Sequence, residues 1–134
     1  MKLSLATGIQ KLSMPLLNVR INDTTLTFLI DTGSTHNVIA SFVFEQLKHC
    51  FKVLDETNEF MGIEGIYQET SYASTTLVLD DMKIQTIFSV IDMNETVLKL
   101  QDETGLQLHG LLGIPFLMDN KCIIDFRTQE ILIE

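Results

Sequence analysis

A chain of 134 residues, 46% hydrophobic and with a formal net charge of -9, can bury one sizeable core and is expected to form a single domain over residues 1–134. The excess of acid excludes the basic footprint that nucleic acid demands and disfavours an anionic membrane surface. Cys50 and Cys122 are too few for a disulfide framework, so both are expected as free thiols, Cys122 as a small buried hydrophobe.

In chain order, the opening six residues carry one lysine, and Gly8, Gln10 and Lys11 then break any apolar run. Neither a signal segment nor a membrane span is expected, and the expected location is cytoplasmic. Residues 14–30 alternate apolar and polar about the turn pair Asn22-Asp23, which predicts a β-hairpin. That hairpin delivers Phe28-Leu29-Ile30 into Asp31-Thr32-Gly33-Ser34. Val38-Ile39 reads as a strand, and Ser41 as the cap of a short helix over residues 42–48. Phe60 to Ile66 places Gly62 and Gly65 between apolar residues, as a hairpin tip would. Residues 72–79 and 82–91 are rich in Thr, Val and Ile around Asp80-Asp81, which predicts a second hairpin. Asn94 reads as the cap of a helix through Leu100, and Pro115 suits the first turn of a short helix after Leu111-Leu112-Gly113. Residues 122–126 and 130–133 close the chain as a hairpin. The sum is a mostly β chain, a small barrel or sandwich.

The Asp-Thr-Gly tripeptide is the signature of aspartic peptidases. By itself it also fits a plain surface turn, since Asp and Gly both favour turns. Three large apolar residues before Asp31 place its carboxylate instead at the end of a buried strand. Ser34 can donate a hydrogen bond to that carboxylate, Thr32 offers a second hydroxyl, and Gly33 lets the backbone N–H approach. The chemistry needs two carboxylates sharing one proton: the ionised one takes a proton from water and the protonated one polarises the scissile carbonyl. One copy of the motif therefore predicts a homodimer with a shared site, and no metal or other cofactor. The apolar strand 131–133 is expected to pair across that dimer, since an exposed edge is a liability.

Three segments resemble, in order, the retropepsin-like aspartic proteases. They are Leu29-Ile30-Asp31-Thr32-Gly33-Ser34, then Met61-Gly62-Ile63-Glu64-Gly65, then Leu111-Leu112-Gly113 with Ile114-Pro115-Phe116-Leu117. The tail, residues 122–126 and 130–133, is similar to DNA-damage-inducible and bacterial retropepsin-like domains. The resemblance covers roughly residues 14–134, and residues 92–110 look longer than the matching connection in viral enzymes. It implies a small closed β-barrel of the acid-protease type with one or two short helices and a dimeric active site. Asp31 would be catalytic, Thr32 a hydroxyl clasp across the dimer, and Gly33 and Ser34 its supports. Gly62, Ile63, Glu64, Gly65 and Ile66 would form a flap over substrate, while Leu111, Leu112 and Gly113 would buttress the active-site loop. The implied activity is cleavage of extended peptides or unfolded proteins, with pockets lined by Ile63, Ile66 and Leu111. The alternative is a peptide-binding or dimerisation module of the same fold without turnover.

The remaining polar residues carry simpler readings. His36, His49 and His109 lack ligand spacing and are expected in packing or at the surface. Asp125 reads as a hydrogen-bonding residue of the turn before Arg127, and Asp55-Glu56 and Asp80-Asp81 as solvated loops. The six methionines show no stripe and read as core filler.

Overall fold

The computed structural model describes residues 1–61 and 67–134, with side chains described for residues 1–54 and 71–134. The expected hairpins form where alternation and turn chemistry coincide. Strands β2 (Leu16–Ile21) and β3 (Thr24–Ile30) pair with Ile21 opposite Thr24, leaving Asn22-Asp23 as a two-residue loop. Strands β6 (Tyr67–Leu79) and β7 (Met82–Ile91) do the same around Asp80-Asp81. The first residue of each loop, Asn22 or Asp80, has φ near +50°, a region that Asn and Asp tolerate better than other side chains.

Two short strands complete a barrel. Strand β4 (Val38–Ala40) lies parallel to β7, and β8 (Gly110–Leu112) sits between β3 and β4, parallel to β3 and antiparallel to β4. The order is β2-β3-β8-β4-β7-β6, and β6 returns to β2 through the pairing of Arg20 with Val78, closing six strands on themselves. Closure removes sheet edges. Strand β5 (Lys52–Met61) extends the sheet outward from β6, with a register shift between Leu54 and Thr57. Asp55 and Glu56, expected in a loop, fall at that irregularity of the strand.

The barrel interior is filled by the inward residues of each strand. Phe28 and Phe88 are fully buried, with ring centroids 5.6 Å apart; burial of each such ring contributes about 1.5–3 kcal/mol. Helix α2 (Ser41–Gln46) buries Val43 and Phe44, and a 3-10 turn (Lys48–Cys50) follows. Ser41 is helical and no side chain caps α2, contrary to the capping expectation. In helix α3 (Asn94–Thr104) Asn94 is the first helical residue and not the expected cap; its N–H donates to the Asp92 carboxylate at 2.9 Å, and the helix runs past Leu100 to Thr104, before Gly105. Helix α4 (Ile114–Asp119) carries Pro115 in its first turn.

The N-terminal segment, for which the sequence reading named no element, is ordered. It forms β1 (Lys2–Ser4) and helix α1 (Ala6–Leu12), with Leu5 buried between them. Gly8 belongs to the contact: a Cβ there would stand 2.9 Å from that of Leu16. The closing strands β9 (Ile123–Asp125) and β10 (Glu130–Leu132) pair as expected, and Asp125 accepts the N–H groups of Arg127 (2.8 Å) and Thr128 (3.2 Å). Strand β10, however, is not an edge. It lies between β1 and β9 in a three-stranded sheet, so residues 131–133 are satisfied within the chain. The edge facing away from β1 is β9, where Ile123 is 60% exposed, with Phe126 65% exposed just beyond it.

Cys50 and Cys122 are both free. Cys122 is half-buried against the core, not fully enclosed, and burial pushes its thiol up to about 11. No helix among the described residues is long and apolar enough to cross a membrane.

Candidate active site

Strand β3 buries Leu26, Phe28 and Ile30 on one face, and the chain turns as soon as that apolar run ends. Asp31 therefore emerges at the mouth of the barrel, half-exposed, with Thr32 and Gly33 exposed beside it. The Gly33 N–H donates to Asp31 Oδ1 at 2.9 Å. This bond orients the carboxylate within its own turn. The Asp31 backbone is fixed as well. Its N–H donates to the Leu112 carbonyl (2.9 Å), and its carbonyl accepts the Ser34 N–H (3.2 Å).

Ser34 does not serve the carboxylate as its position in the motif suggested. Its side chain is buried, and its hydroxyl donates to the His36 carbonyl at 2.6 Å, tightening the loop from within. Thr32, in contrast, is exposed.

The segment expected as a buttress lies directly behind this loop. Leu112 is fully buried and supplies the carbonyl that holds Asp31, and Leu111 is half-buried opposite Leu29 and Val38. Gly113 packs against loop backbone: a Cβ there would overlap the His36 carbonyl oxygen and stand 2.7 Å from that of Ser34. The next residue, Ile114, donates its N–H to the Ser34 carbonyl at 2.9 Å. The structure thus brings together Asp31, Gly33, Ser34, Leu112 and Gly113. The expected flap residues Gly62, Ile63, Glu64, Gly65 and Ile66 lie outside the described residues.

Sequence reasoning passed over Asn37. Its side chain is buried, Oδ1 accepts the N–H groups of Gly113 (3.0 Å) and Phe116 (3.2 Å), and Nδ2 donates to the Ile87 carbonyl (3.2 Å). The available signal was a lone amide opening the apolar run Val38-Ile39-Ala40, because a buried amide must be hydrogen-bonded. His36 is likewise engaged, its Nδ1 2.9 Å from Ser89 Oγ and its ring stacked on Tyr72. Burial lowers the His36 imidazole below the usual histidine range, and it does the same for His109, whose Nδ1 accepts the Thr27 N–H at 2.9 Å. Among the described residues no cluster of His, Cys, Asp or Glu is arranged to hold a metal ion.

A cavity of about 550 Å³ opens behind the loop, lined by Thr35, His36, Asn37, Tyr72 and Asp119 among others. Neither Asp31 nor Thr32 belongs to its wall.

A family model described as aspartyl protease matches residues 17–116. The fold is similar to the EIAV protease complexed with the inhibitor HBY-793, with a TM-score of 0.60 and 25% identity over 79% of this chain and 86% of that one. It is also similar to the retroviral protease-like domain of Ddi1 from Leishmania major, with a TM-score of 0.63 and 17% identity over 89% of this chain and 86% of that one. No curated protein sequence matches the chain.

Proposed function

The chain belongs to the aspartyl protease family, and from that premise we propose that it is an aspartic endopeptidase, active as a homodimer, with Asp31 as its catalytic residue. The observation that carries this reading is the Asp31 carboxylate itself. It is held by the Gly33 N–H and by the backbone bond from Asp31 to Leu112, and with Thr32 and Gly33 it forms a solvent-accessible face. A two-fold axis through that face sets two such carboxylates opposite each other. Like charges so placed share one proton. The ionised carboxylate then takes a proton from water as that water attacks the scissile carbonyl, and the protonated carboxyl hydrogen-bonds to the carbonyl oxygen. The tetrahedral adduct then collapses with cleavage of the C–N bond as the carboxyl that took the proton from water passes it to the leaving amine, so no covalent enzyme intermediate forms. Thr32, exposed beside Asp31, is the residue we assign to contact the partner's loop, with Gly33 and Ser34 shaping its support.

The second copy docks, in this proposal, through β9. That strand is one of the two edges of the small sheet, and its exposed Ile123, with Phe126 beyond it, would be covered by a partner. Antiparallel pairing of two β9 edges satisfies backbone groups that a lone chain leaves to water. Substrate is an extended peptide or an unfolded segment.

The experiment is digestion of casein or a peptide library by wild type and Asp31→Asn. The substitution preserves size and removes the shared proton. Loss of cleavage with an unchanged fold is the expected result. Turnover by Asp31→Asn within a few-fold of wild type would sink the assignment, and peptide binding without cleavage by wild type would favour a non-catalytic module.

A further inference from the structure

Four hydrogen bonds described above tie the Asp31 loop to residues 112–116. The Asp31 N–H reaches the Leu112 carbonyl and the Ile114 N–H reaches the Ser34 carbonyl. The other two, from the Gly113 and Phe116 N–H groups, end on one atom, Asn37 Oδ1. The same side chain donates through Nδ2 to the Ile87 carbonyl, and the Asn37 carbonyl accepts the Ser89 N–H at 2.8 Å. One buried residue thus joins the end of the catalytic loop to the β8–α4 junction and to β7.

We propose that Asn37 is a positioning residue for Asp31, clamping the far end of its loop so that the carboxylate meets its symmetry mate in register. The proposal rests on the peptidase reading. Asp31 is anchored at the near end by Leu112 and at the middle by Ser34, and neither bond fixes residues 35–37 against α4. Without Asn37 Oδ1 the buried N–H groups of Gly113 and Phe116 lose their acceptor, and the loop is free to shift to recover one. A shared proton requires the two carboxylates within hydrogen-bond reach of each other and of one water, and a displacement of about 1 Å at such a centre costs about 100-fold in rate.

The chemistry of the side chain makes the claim testable apart from its bulk. Leucine matches the shape of asparagine but offers neither acceptor nor donor. A protonated aspartic acid offers both, its carbonyl to Gly113 and Phe116 and its O–H to Ile87. An ionised aspartate offers only acceptors and repels the Ile87 carbonyl. The titratable groups sharing the cavity wall with Asn37 are His36, Tyr72 and Asp119, and Asp31 lies at the head of the same loop.

The test compares kcat and KM of wild type, Asn37→Leu and Asn37→Asp on one peptide across an acid-to-neutral pH series, with dimer content followed in parallel. Asn37→Leu is expected to lose about 100-fold in kcat with KM nearly unchanged. Asn37→Asp is expected to approach wild type at acid pH and fall away as its carboxyl ionises. A folded, dimeric Asn37→Leu protein with kcat within about three-fold of wild type would overturn the proposal. If that variant does not fold, a constant ratio of Asn37→Asp to wild-type kcat across the series would overturn it. Wild-type protein without any Asp31-dependent turnover would refute the peptidase reading instead. Amide exchange at residues 31–36 then reads the clamp directly: faster exchange in Asn37→Asp at neutral than at acid pH, relative to wild type, supports it, and an unchanged ratio refutes it.

Discussion

Replacing Gly113 by alanine tests how the Asp31 loop is built. The added Cβ would overlap the His36 carbonyl oxygen and stand 2.7 Å from the Ser34 carbonyl oxygen and 3.0 Å from the His36 carbonyl carbon. All of these are backbone atoms, so no side chain can swing aside. Overpacking of this kind costs about 1–3 kcal/mol. Moving the loop away also weakens the Ile114 to Ser34 hydrogen bond, now 2.9 Å, for about 1 kcal/mol more. The expected loss of stability is therefore about 2–4 kcal/mol, a large share of the total for a domain of this size. Urea unfolding followed by circular dichroism measures it, and peptide hydrolysis is expected to fall by far more than the folded fraction. Gly105→Ala is the control. Its Cβ meets nothing within 4 Å, but its φ of +76° sets a cost of about 1 kcal/mol for the left-handed conformation. If Gly113→Ala proves no more destabilising than Gly105→Ala and keeps full hydrolysis, the loop is not packed against β8 as described and the reasoning fails.

Two further outcomes follow from the surface and from the buried imidazoles. Ile123→Asp or Phe126→Asp should convert the dimer to a monomer in sedimentation and remove turnover while leaving thermal unfolding nearly unchanged, since both residues are exposed; a stable dimer in both variants would move the interface elsewhere. Burial lowers His36 and His109, so the folded chain keeps them neutral while the unfolded chain protonates near pH ~6.5. The stability they confer is present above that pH and is lost as pH falls through the folded values. The Tm advantage of wild type over a His36→Gln, His109→Gln protein should therefore shrink on acidification, and an advantage independent of pH would contradict the assignment.

The hairpins and the Asp31 turn were legible in the sequence because their signals are local. Alternating residues set the faces, Asn22-Asp23 and Asp80-Asp81 mark the turns, and an apolar run ends at a carboxylate. The N-terminal helix was not legible, because Gly8 reads as a breaker whereas in the fold it is the contact point against Leu16. The strand at residues 130–132 was placed correctly in the chain but not in its sheet. Its second neighbour, β1, comes from the opposite end of the sequence, and no local pattern encodes such a pairing. The same holds for Asn37: its donors at Gly113 and Phe116 lie 76 and 79 positions away. The Asp-Thr-Gly motif announces itself in one tripeptide, but the residues that hold it arrive from β7, β8 and α4.

The central claim is that two Asp31 carboxylates, one from each chain, make a single site. Co-refolding wild type with Asp31→Asn at varied ratios, at constant total protein, measures this directly. If one site needs both carboxylates, only dimers of two wild-type chains cleave, and an equal mixture retains about a quarter of the all-wild-type activity. Activity that instead declines in simple proportion to the wild-type chains, to about a half in the equal mixture, would show that each chain works alone and would contradict the account.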